Sequence, residues 1–203
     1  ALKLATKAVA KDEHNTAAVL LRGLTLHHLR KTEQALEVLE AAALEAPQDF
    51  AAQYFYGWVL CENRLYGDAL APLKRAYAIR KDHPDLLVLL ARCCIEQNLR
   101  EGVSYLQALR RFPSFRDSPE LYNGLALLWL GELDYEQALE NLRIAHQKAP
   151  RNAAVMQNLA VLYDQYFHDP VQALRYYRYC LAESQRVDDR QRSASVQRRL
   201  RAM

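Results

Sequence analysis

Apolar residues recur along the chain at the three-and-four spacing of amphipathic helices, and they do so in pairs of segments. Leu20, Leu21 and Leu24 are answered by Leu36, Leu39 and Leu44, and Leu125, Leu128 and Trp129 by Leu139, Leu142 and Ile144. Each pair closes on a turn signal: Ala46-Pro47-Gln48-Asp49, Lys81-Asp82-His83-Pro84, Phe112-Pro113-Ser114 and Ala149-Pro150-Arg151-Asn152. A triplet of small residues runs through the same segments. It reads Gly23, Ala35, Ala42; Gly57, Ala69, Ala76; Ala91, Val103, Arg110; Ala126, Ala138, Ala145; and Ala160, Ala173, Cys180. Its first members stand 34, 34, 35 and 34 positions apart, with internal offsets of 12 and 7 and one inserted residue in the last copy, where Asp169-Pro170 opens the second helix. Small side chains at fixed places have a mechanical reason. Two antiparallel helices joined by a short turn can nest only where one of them lacks bulk at the crossing. The pattern predicts five helical hairpins, ten helices, with a degenerate third pair in which Val103 and Arg110 replace the alanines. A looser packing, or an insertion between Pro113 and Pro119, is expected there.

Gly57, Tyr66, Ala69 and Ala76, and again Ala126, Asp134-Tyr135, Ala138, Ala145 and Pro150, carry a resemblance to the tetratricopeptide repeat (TPR) family that covers nearly the whole chain. The resemblance implies an all-α fold, a right-handed α-solenoid of antiparallel helix hairpins with about five repeats plus partial repeats at both ends. The expected division is residues 1–15 as the second helix of a truncated repeat, repeats over 16–49, 50–83, 84–118 (degenerate), 119–152 and 153–187, and a basic capping helix over 188–203. The last repeat, Asn158 to Tyr163 followed by Asp169 to Leu174, looks like bacterial TPR proteins, some of which serve in pilus, secretion or envelope assembly.

The family binds partners on a concave face lined by the first helix of each hairpin. Carried over position by position, that face holds Leu20, Leu24, His27, Tyr54, Trp58, Glu62, Val88, Arg92, Glu96, Asn123 and Leu127. Leu20, Leu24, Tyr54 and Trp58 would then expose an apolar, aromatic patch of the kind found at binding hot spots. An extended peptide or amphipathic helix is the expected occupant, with Arg92, Glu62 and Glu96 setting its register. The competing reading buries Tyr54 and Trp58 between neighbouring helices. The clamp by which heat-shock co-chaperones grip a C-terminal carboxylate is not expected, because Leu20 and Leu24 occupy two positions where the resemblance would require Lys and Asn.

Composition narrows the function. The chain has 203 residues, 51% of them hydrophobic and 25% charged, with six Gly and seven Pro, which suits an ordered fold. The net charge of +3 is concentrated in the last twenty residues, where six Arg face Asp188 and Asp189. A near-neutral body with a basic end argues against nucleic-acid binding, and the basic end reads as the solvated face of a cap. No apolar run is long enough to span a membrane, and Lys3, Lys7 and Lys11 interrupt the first segment, so neither insertion nor a signal peptide is expected. His27, His28 and Cys61 offer three soft ligands on a shallow face, too few for a structural zinc, so no metal is expected. Adjacent Cys93 and Cys94 point about 100° apart on a helix; all four cysteines read as small buried apolar residues. Without a phosphate loop, a metalloprotease helix or a nucleophile elbow, the chain is expected to be no enzyme and to need no cofactor.

The expected role is a protein-interaction adaptor or assembly scaffold. Two alternatives stand beside it: the interaction arm of a larger, enzymatic or membrane-anchored protein, suggested by a start in mid-repeat, and a structural protein that self-associates through an uncapped first helix. The sequence leaves the compartment open, with the cytoplasm favoured over a periplasmic or envelope-anchored parent.

Overall fold

The computed structural model describes residues 15–203, and the helix expected over residues 1–15 lies, apart from Asn15, outside the described residues. The described residues form helices and turns with no strand. They divide into two compact units, one running to Gln97 and one spanning Asn98–Met203. In the first unit α1 (Thr16–His28) pairs with α2 (Thr32–Glu45) and α3 (Phe50–Glu62) with α4 (Tyr66–Ile79), and α5 (Pro84–Glu96) packs on α4. The second unit holds α6 (Gly102–Leu109), α7 (Pro113–Arg116), α8 (Pro119–Gly131), α9 (Tyr135–Lys148), α10 (Ala153–Gln165), α11 (Pro170–Arg186) and α12 (Arg190–Ala202). There α8 pairs with α9, α10 with α11, and α12 lies on α11. The result is an all-α array of helical hairpins.

The helices begin where a short polar side chain can satisfy the first unpaired amides. Asn15 accepts from the Ala18 amide at 3.0 Å, Asp49 from Ala52 at 2.8 Å, Ser118 from Leu121 at 3.1 Å and Asp134 from Gln137 at 3.1 Å. The first helices end in a turn that reverses the chain within a few residues, through a single residue in the left-handed region. Those residues are Arg30 (φ 60°), Arg64 (61°), Asn98 (52°), Leu133 (61°) and His168 (51°), again one period apart, with Asp188 (54°) doing the same before α12. After α1 the Lys31 amide bonds to the Leu26 carbonyl (3.0 Å) and the Arg30 amide to that of His27 (2.9 Å), the Schellman arrangement that satisfies the last carbonyls. The same pair of bonds closes α3, from Leu65 to Leu60 (2.9 Å) and from Arg64 to Cys61 (3.0 Å).

The nesting argument has a direct measure. A Cβ built on Gly23 would stand 2.6 Å from Leu39 Cγ, and one on Gly57 2.6 Å from Leu73 Cγ. Leu39 and Leu73 are both wholly buried, so neither can swing into solvent to make room. Gly23 and Gly57 are each the seat of a leucine from the second helix of their pair. In the first unit Leu20, Leu39, Ala42, Ala52 and Val59 form one core; in the second, Leu142, Met156, Leu159, Leu162, Tyr177 and Val196 are among the residues of another.

The third hairpin that the repeat predicts departs from the pattern. Its second helix, α6, has eight residues where α2, α4 and α9 have fourteen, and the four-residue α7 follows it. The division between the units falls at its turn, between Gln97 and Asn98. Arg110, where the other copies have a small buried residue, is exposed, and an exposed guanidinium cannot seat a neighbouring helix.

Candidate partner-docking face

In the first unit α1 touches α3 and α3 touches α5, so the first helices of successive hairpins lie side by side. Helical periodicity then decides which side chains share the exposed side of this layer. Leu24 and Trp58 sit half-buried against the Leu20–Leu39–Val59 core. The His27 ring meets Trp58 edge-on, with centroids 5.2 Å apart and planes at 76°. Its Nδ1 is buried and has no hydrogen-bond partner among the described residues.

Tyr54 is likewise half-buried, within an aromatic group. It stacks on Phe50 (5.6 Å, 12°) and leans on His83 (5.1 Å) and Phe55 (5.3 Å), while the Arg80 guanidinium caps the Phe50 ring at 4.3 Å. Burial, and then the charge of Asp85, push the Tyr54 hydroxyl above its ordinary range, so it stays a neutral donor. His83 also caps α5, accepting from the Leu86 amide at 3.3 Å.

Farther along the same helices, Arg92 lies 3.7 Å from Glu62, donates to the Tyr66 hydroxyl at 3.1 Å and covers the Tyr66 ring at 5.4 Å. Partial burial works against the Arg92 charge, but the Tyr66 hydroxyl and then Glu62 outweigh it and hold the guanidinium above its usual range. Val88 and Glu96 are exposed on α5. The face therefore holds two half-buried aromatic rings, an ion pair and an exposed Val.

One expected member is not on it. Leu20 is 6% exposed and belongs to the core, where α2 (Leu39, Ala42) and α3 (Ala52, Val59) converge on α1. The patch expected from Leu20, Leu24, Tyr54 and Trp58 is thus narrower and more aromatic. Both rings are half-buried, Trp58 against His27 and Tyr54 among Phe50, Phe55 and His83. Phe50, Arg80 and His83 were missed by position counting, since Arg80 and His83 come from the turn after α4 and not from a first helix.

Asn123 and Leu127 lie on α8 in the second unit, both half-buried. Asn123 accepts from the Asn158 amide at 2.8 Å, Arg192 donates to Gln157 at 3.0 Å, and Arg199 grips Asp164 with two bonds of 2.6 and 2.8 Å, joined by the Tyr177 hydroxyl at 3.1 Å. Arg192 and Arg199 of the basic C-terminal helix are therefore structural partners of α10, beyond the solvated role their composition suggested. Among the described residues no group of three or more His, Cys, Asp or Glu is placed to hold a metal, and no helix is long and apolar enough to cross a membrane.

No family model matches the sequence, and no curated protein matches it either. Solved structures do resemble it. YrrB, described as a TPR protein with an unusual peptide-binding site, superposes with a TM-score of 0.73 at 18% identity over 98% of this chain and 100% of its own. MamA from Desulfovibrio magneticus RS-1 gives 0.72 at 16% identity over 84% and 96% of the two chains. PilF of Pseudomonas aeruginosa gives 0.58 at 19% identity over 95% and 93%. This chain has the tetratricopeptide-repeat fold. In TPR terms α1, α3, α8 and α10 are the first helices of packed pairs, and Arg30, Arg64, Leu133 and His168 mark the turns inside those pairs. At these identities the likeness establishes the fold alone.

Proposed function

We propose that the protein is a non-catalytic interaction scaffold that captures an extended peptide or amphipathic helix on the α1–α3–α5 face of its first unit. The observation that carries the reading is the pair of half-buried rings, Tyr54 and Trp58, held edge-on or stacked by His27, Phe50 and His83 beside the Glu62–Arg92 pair. Rigid aromatics whose inner sides are already packed lose little conformational freedom on binding, which is why Trp, Tyr and Arg dominate interface energetics. Leu24 and Val88 extend the apolar strip, and Glu96, Glu62 and Arg92 supply charges to orient the ligand. In the second unit Asn123 and Leu127 are proposed as a separate contact on α8. The peptide-binding description of YrrB agrees with this ligand class, at the level of shared fold.

The test is affinity selection of a displayed random-peptide library on the full chain, followed by titration of the selected peptides against variants. Trp58→Ala and Tyr54→Ala, with helicity checked by circular dichroism, are expected to weaken binding at least about tenfold, the effect of losing a hot spot. Peptides that bind both folded variants as well as the parent would remove the proposal.

A further inference from the structure

Cys61 is the penultimate residue of α3 and Cys93 lies in the last turn of α5, and their sulfurs approach to 3.1 Å although 32 residues separate them. Both are wholly buried and both are thiols. A disulfide needs its sulfurs at about 2.05 Å, so bonding asks the two helix ends to close by a movement small against a side-chain rotation. The other cysteines lack this geometry. Cys94 follows Cys93 on a helix and points away by about 100°, and Cys180 in the second unit donates to the Ala153 carbonyl at 3.2 Å.

We infer that Cys61 and Cys93 are a modification site, a dithiol that a small-molecule disulfide oxidises to an intramolecular bond stapling α3 to α5. Access comes through the C-terminal turns of the two helices, which open more readily than helix interiors. The Cys61 thiolate attacks one sulfur of the oxidant R–S–S–R and expels one thiolate. The Cys93 thiolate then attacks the Cys61 sulfur of the mixed disulfide and expels the second. The two protons leave with the products as two molecules of RSH, the cysteine sulfurs lose two electrons, and the oxidant gains them. Either sulfur can donate in the 3.1 Å contact, so the opposite order of attack gives the same bond.

The bond would join the residues immediately next to Glu62 and Arg92, fixing the spacing of two helices of the candidate face. Its formation does not depend on any partner, so its failure leaves the docking proposal standing, and the reverse.

The experiment exposes the reduced full chain to glutathione disulfide, quenches with acid, alkylates, and maps the peptides by mass spectrometry. Because Cys93 and Cys94 fall in one tryptic peptide, Cys94→Ser and Cys93→Ser variants are run alongside. The expected result is loss of two hydrogens from the native chain, a bond between the Cys61 and Cys93 peptides that survives Cys94→Ser and is absent in Cys93→Ser, and a melting temperature several degrees higher when oxidised. Stable mixed disulfides in place of the internal bond would overturn the inference, as would a bond that persists in Cys93→Ser, or an oxidised form that melts below the reduced one. Cys61→Ala, which keeps the small apolar volume, serves as the second variant and should likewise form no bond.

Discussion

If small residues are what let the hairpins nest, Gly57→Ala should destabilise the chain even though alanine is the better helix former. The two effects have opposite signs and comparable size. Replacing glycine in a helix interior by alanine favours the helix by about 1 kcal/mol. Against this, the new Cβ would stand 2.6 Å from both Cγ and Cδ2 of Leu73 and 3.4 Å from its backbone nitrogen. Leu73 is wholly buried, so relief requires an off-rotamer side chain or a shift of α3 from α4, at a cost of typically 1–3 kcal/mol. The net expectation is a loss of about 1 kcal/mol or slightly more. Gly67 supplies the control in the same unit. It is exposed in the first turn of α4, and a Cβ there would meet only Gln97 Oε1 at 3.7 Å, so Gly67→Ala should stabilise by about 0.5 kcal/mol.

The decisive measurement is a double-mutant cycle. Leu73→Ala alone should cost about 2–5 kcal/mol by leaving a cavity. In the double variant the alanine at 57 enters space that leucine has vacated, so the combined loss should fall short of the sum by at least about 1 kcal/mol. Urea unfolding in a Trp129→Phe background, where Trp58 is the remaining tryptophan, reports the first unit by fluorescence. A Gly57→Ala protein as stable as Gly67→Ala, or strictly additive losses with Leu73→Ala, would refute the nesting argument.

Two further expectations concern the second unit. Leu133 holds a left-handed φ of 61° and is 68% exposed, so Leu133→Gly should relieve about 0.5–1 kcal/mol of backbone strain and raise the melting temperature by a few degrees; an unchanged or lower melting point counts against it. Arg199, and then the Tyr177 hydroxyl, depress the Asp164 carboxyl below its ordinary value despite burial, so its contribution is complete above the unfolded value near about pH 4 and is lost as pH falls through the lower folded one. Arg199→Met should lower stability at neutral pH and flatten the acid limb of a urea-midpoint profile; an unaltered limb would show that the pair carries none of it.

The hairpin period was legible because it is written in side-chain volume. Gly57 and Leu73, or Gly23 and Leu39, are paired steric demands that leave a trace at fixed offsets. The turns left no such trace. Arg30, Arg64 and Leu133 adopt a glycine-like backbone without being glycine, since two Schellman bonds per turn compensate the strain and pattern reading has nothing to detect. Leu20 was misplaced for a different reason. Leu20 and Leu24 sit one turn apart on the same side of α1, and which of them is covered depends on how far α3 reaches along α1. The contribution of Arg80 and His83 was out of reach of any count along first helices, because it comes from the turn between α4 and α5.

A repeat also dictates its polar contacts, and this bears on where a partner can dock. Residues about one period apart fall on neighbouring helices at similar heights. Arg199–Asp164, Arg192–Gln157 and Asn158–Asn123 are each 35 residues apart, and Cys61–Cys93 and Arg151–Glu183 are each 32 apart. In the second unit such contacts occupy the polar groups of the first helices: Asn123, Gln157 and Asp164 all have partners within the chain, and a ligand would have to displace well-formed bonds to reach them. In the first unit the position equivalent to Asn123 and Gln157 holds Leu20, Tyr54 and Val88, of which Leu20 is buried, Tyr54 half-buried and Val88 exposed, with Trp58 half-buried one turn beyond Tyr54. Releasing water from apolar surface favours binding, whereas exchanging one charge-assisted bond for another gains little. On the docking proposal the centre of recognition therefore lies on α3, at Tyr54 and Trp58.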